Sequence, residues 1–64
     1  MTQKELLYVE DAIQHECTMI TDCTKAIDLV TDENLKNFLN EQVENHTQTK
    51  ERLMNLLEEK SNEW

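Results

Sequence analysis

Sixty-four residues admit one small domain and no second. With no Gly and no Pro, the chain lacks the usual chemistry of turns, hairpins and linkers, which counts against an all-β or nucleotide-cradling fold. Fourteen acidic against six basic side chains give a formal charge of −8, a balance that disfavours nucleic acid or an anionic membrane as partner.

Met1–Glu5 leads straight into a charged segment, so no signal peptide is expected. No apolar run approaches the ~18 residues of a membrane span. Two cysteines without a secretory signal fit a reducing compartment, and the expected location is cytoplasmic. Cys17 and Cys23 stand about 9 Å apart along a helix and on different faces, so they cannot bridge each other. They are expected as buried or boundary thiols, with a bridge between subunits as the alternative if two copies of the first helix run antiparallel around residue 20. The Asn45-His46-Thr47 acceptor pattern carries no meaning without secretion.

Thr2-Gln3-Lys4-Glu5 reads as a capping box, Thr2 being the N-cap and Glu5 reaching back to it. From there Leu6, Val9, Ile13, Ile20, Cys23, Ile27 and Val30 step by threes and fours, the seam of an amphipathic helix over about 3–30. One tooth is missing from that seam, and the residue in its place is Glu16. Ala12, Met19 and Ala26 line the adjacent column and widen the apolar face. The break falls at Val30-Thr31-Asp32-Glu33-Asn34, where Thr31 can cap a second helix over about 32–60 and Asp32 and Glu33 suit its dipole. The second seam reads Leu35, Leu39, Gln42, His46, Thr49, Leu53, Leu56, with Phe38, Val43 and Leu57 beside it. The pattern is lost over Lys60–Trp64, which is expected to fray.

A short link makes the helices antiparallel neighbours. Pairing them about the link sets Glu16 between His46 and Thr49, so the odd residues of the two seams share a layer. A hairpin covers each seam from one side only, too little burial to order a chain of this size. Dimerisation into a four-helix bundle is the simplest remedy. A twofold axis near residues 16 and 46 would gather two Glu16 and two His46 side chains in one central layer, a donor set suited to iron, manganese or zinc.

The span Lys4–Glu16, then Thr31–Lys36, His46 and Leu53–Leu57, resembles the spore coat protein F-like group of ferritin-like hairpins in spore-forming Firmicutes. The resemblance implies a ferritin-like half-bundle completed by dimerising, spore-associated, with other coat or assembly proteins as partners. In ferritin-like metal sites one helix supplies a Glu and its partner Glu-x-x-His. Glu16 matches the first and His46 the second, but Val43 stands where the other Glu belongs, so di-iron chemistry lacks its bridging carboxylates.

Three readings of function follow. The leading one is a non-enzymatic structural or assembly protein with a polar layer of Glu16 and His46 that fixes register. The alternative is a ferritin-like metalloprotein with Glu16 and His46 as ligands. Ranked below both is a small helical regulator of a signalling protein. The hairpin phosphatase regulators of the sporulation phosphorelay carry a Ser-x-x-Leu-Asp-like motif early in their second helix. The nearest string here, Ala26-Ile27-Asp28-Leu29, falls at the end of the first.

Overall fold

The structure, a computed structural model, describes residues 1–61 and consists of two helices, α1 (Gln3–Leu29) and α2 (Glu33–Ser61). They lie against each other as a hairpin, and among the described residues there is no strand. The hairpin is long and thin, 48 × 15 × 11 Å. No helix is long and apolar enough to cross a membrane among the described residues.

α1 starts as its sequence requires. The Thr2 hydroxyl accepts from the Glu5 backbone N–H at 3.0 Å, and the Glu5 carboxylate accepts from the Thr2 N–H at 2.8 Å, which satisfies two of the helix's orphan donors. The same Thr2 N–H bond, with the Thr2 side chain second, holds the Glu5 carboxyl below the ordinary glutamate range. α1 ends without the left-handed residue that glycine would supply. Val30 is extended, at φ −94° and ψ 150°, and its N–H donates to the Ala26 carbonyl.

The link is short, and its cap differs from the expected one. Asp32, not Thr31, caps α2: its carboxylate accepts from the Leu35 N–H at 2.8 Å and its carbonyl from the Lys36 N–H at 3.0 Å. A carboxylate at this position also meets the helix dipole with a full charge, which a hydroxyl cannot do. The far end corrects a second expectation. α2 continues through Lys60 and Ser61, and the remainder of the expected frayed segment, 62–64, lies outside the described residues.

The α1 face is the expected one. Leu6, Val9, Ile13, Ile20, Cys23, Ile27 and Val30 are all half-buried, as are Glu16 and the column Ala12, Met19, Ala26. The α2 face is rotated by one residue along half of its seam. Leu39, Gln42, His46 and Leu53 are half-buried as expected, but Leu35, Thr49 and Leu56 are exposed, and Lys36, Val43, Lys50 and Leu57 take the inward column instead. Lysine stems lie along apolar surface while their ammonium groups reach water, so Lys36 and Lys50 fit a seam from which a polar-equals-outside reading removes them. Among the described residues none is fully buried.

Candidate functional site

Glu16 and His46 sit halfway along their helices, each in the column that faces the partner helix. The fold brings them into contact: His46 Nδ1 lies 2.5 Å from Glu16 Oε2, within hydrogen-bond reach. Side-chain exposure is 23% for His46 and 16% for Glu16, low enough to strengthen a charge-assisted bond relative to open water. An ionised carboxylate can only accept. Against an ionised Glu16 the imidazole proton is assigned to Nδ1, which in the neutral ring leaves Nε2 with a lone pair.

Other polar residues that share these columns do not converge on the pair. Thr49 is exposed and its hydroxyl donates to the Asn45 carbonyl at 3.1 Å, so of the expected neighbours of Glu16 only His46 reaches it. Thr47 is similarly occupied, donating to the Val43 carbonyl at 2.7 Å. Gln42 is half-buried beside the layer. Val43, three residues before His46, faces inward and supplies an apolar wall where a ferritin-like site has a carboxylate. No group of three or more His, Cys, Asp or Glu side chains able to hold a cation occurs among the described residues. No buried side-chain nitrogen or oxygen lacks a partner among them either.

The thiols stand apart from the pair and from each other. Both are free; Cys23 is half-buried, whereas Cys17 is exposed and not the buried or boundary thiol expected. His15 is exposed. Sequence reasoning missed Lys36 and Lys50; the signal that marks them is the three-four spacing 36, 39, 43, 46, 50, 53, 57, visible once lysine is allowed on a seam.

No protein-family model matches the chain, and no curated protein and no solved structure matches it.

Proposed function

We propose that two copies of this hairpin pair into a four-helix bundle and that the product is a non-enzymatic structural or assembly component, with Glu16 and His46 as the polar layer that sets the register of the helices. One observation carries the reading: a chain of this length exposes Leu7, Tyr8, Leu29, Leu35, Phe38, Met54 and Leu56, and among the described residues none is fully buried. That is half a core, and a second amphipathic hairpin supplies the other half. A hydrogen-bonded pair between the two seams acts as buried asparagines do in coiled coils, penalising any slip that parts the two groups. The resemblance to spore coat F-like hairpins supports the same class, with other coat or assembly proteins as further partners.

A second reading, a metalloprotein binding iron, manganese or zinc, is favoured by the tautomer. With Nδ1–H committed to Glu16, His46 Nε2 is the lone pair that a cation would take, and Glu16 becomes the carboxylate that orients it. Two such imidazoles, one per copy, would still be too few for a closed site without further donors.

Native mass spectrometry of untagged protein purified without chelator separates the readings. The expected species is a dimer that stays metal-free after iron, manganese and zinc are offered. Stoichiometric metal, lost in Glu16→Ala or His46→Ala, would move the protein to the second reading. A monomer at every concentration would overturn the proposal.

A further inference from the structure

The hairpin has two broad sides, and they differ. One side carries a groove where Tyr8 and Val9 face Leu56 across the two helices, flanked by Glu5 and Lys60. The other carries a groove where Ile13 faces Met54 and Leu57, flanked by Glu10 and Glu58. Residues seven apart share a column along a packed helix. By that count Tyr8, Leu29, Leu35, Phe38 and Leu56 belong to the first side, and of the large exposed apolar side chains only Leu7 and Met54 belong to the second. Leu29 is 83% exposed and Tyr8 62%. The second side is acidic at its rim, with Glu10, Asp28, Glu44, Glu51 and Glu58, and Lys36 and Lys50 lie half-buried along its inner columns.

Most columns of the first side are similar read in either direction; the outer column of α2, Phe38-Asn45-Arg52-Glu59, is not. On α1 the inner column is Glu5-Ala12-Met19-Ala26, symmetric over its last three residues, and on α2 it is Leu35-Gln42-Thr49-Leu56. The outer column of α1 is Tyr8-His15-Asp22-Leu29: apolar ends around a histidine and a carboxylate. The centres of these runs fall near residue 19 on α1 and near residue 45 on α2, close to the Glu16–His46 contact that fixes how the two helices align. A sequence of contacts that reads the same from either end is what a twofold, isologous pairing of antiparallel elements produces.

We infer that the occupant of this side is a second copy of the chain, turned end over end, so that α1 packs on the partner's α1 and α2 on the partner's α2. It rests on the dimer proposed above and names the face and direction. Met19 then meets its own equivalent at the axis, Ala12 meets Ala26, Leu35 meets Leu56, Tyr8 meets Leu29, and His15 comes beside Asp22. The opposite orientation, with both links at one end, lays Met19 over Gln42 and Ala12 over Thr49. It also brings Glu5 beside Glu59. The end-over-end arrangement avoids all three. The area suffices: a side 48 Å long and 15 Å wide offers about 700 Å², near the ~800 Å² per partner of a specific interface.

Disulfide trapping tests face and direction together, since a bridge forms only where the two Cα atoms come within about 7 Å. In a Cys17→Ser/Cys23→Ser background, Met19→Cys should give a covalent dimer in a glutathione redox buffer. Tyr8→Cys mixed with Leu29→Cys should give one too, and Tyr8→Cys mixed with Leu56→Cys should not. The unaltered protein should stay uncrosslinked, because its exposed Cys17 lies on the second side. Sedimentation of the cysteine-free parent keeps the two readings apart. A monomeric parent would remove the dimer itself. A dimeric parent with Met19→Cys unlinked, with Tyr8→Cys linking to Leu56→Cys, or with wild-type Cys17 linking, would keep the dimer and overturn this face or its direction.

Discussion

At the scale of single residues, one polar constellation caps the start of α1, and a second is proposed to set how the helices align. The capping box at Thr2 and Glu5 is local, and Thr2→Ala should lower stability by about 1 kcal/mol, as N-cap losses do, read by thermal unfolding followed by circular dichroism. Its pH dependence has a definite sign. The folded-state pKa of Glu5 lies below its unfolded value, so the contribution is complete above the unfolded value of about 4.3. It is lost as the pH falls through the folded value, where the protonated carboxyl no longer accepts the Thr2 N–H as an ion. The first turn of α1 should therefore show faster amide exchange at Leu6 below about pH 4 in the parent than a Glu5→Gln variant shows for the same change of pH. Equal responses would mean that Glu5 does not hold the cap. The Glu16–His46 pair is the long-range counterpart. Removing both groups together, as Glu16→Leu/His46→Leu, should leave stability equal or raise it by about 1–3 kcal/mol in chemical denaturation, while the oligomer loses its single register on sedimentation. A large loss of stability in the double variant would assign the pair to holding the fold and not to choosing its alignment.

At the scale of the elements, legibility followed chemistry. α1 was readable in full because its inward residues are apolar and its one exception, Glu16, interrupts a regular spacing. The same logic found His46, because two interruptions at matching distances from the link must meet. α2 was readable along Leu39, Gln42, His46 and Leu53, with Val43 and Leu57 beside them. Its other column depends on Lys36 and Lys50, whose aliphatic stems pack while their charges mark them as surface. Leu35 and Leu56, apolar yet exposed, completed a false seam one residue away. The start of α2 was misplaced for a related reason: Thr31 and Asp32 are both good caps, and only the carbonyl and carboxylate geometry at Asp32 distinguishes them. The two seams make opposite demands on stability. Val43→Ala, in the inward column, should cost about 1 kcal/mol for a half-buried valine. Thr49→Ala, on the exposed column, should stay within about 0.5 kcal/mol. The reverse order in denaturant titrations would restore the seam that runs through Thr49.

At the scale of the whole molecule, the apolar side and the net charge oppose each other. In the proposed dimer, association would remove Tyr8, Leu29, Leu35, Phe38 and Leu56 from water and be driven by that burial, but it would also double a charge of −8 within one narrow bundle. Like charges at this density repel over a screening length of about 10 Å at 0.1 M salt and about 3 Å at 1 M. The strip of Glu10, Asp28, Glu44, Glu51 and Glu58 on the far side of each hairpin keeps that repulsion at a distance without abolishing it. Salt should therefore strengthen the dimer: the dissociation constant measured by sedimentation should fall as sodium chloride rises from low to molar concentration. The melting temperature should rise with protein concentration, as folding coupled to association requires. The sign is the discriminating quantity. An interface held by opposite charges weakens with salt, so a dissociation constant that rose would place the second copy on a charged surface, and the apolar side would need another occupant.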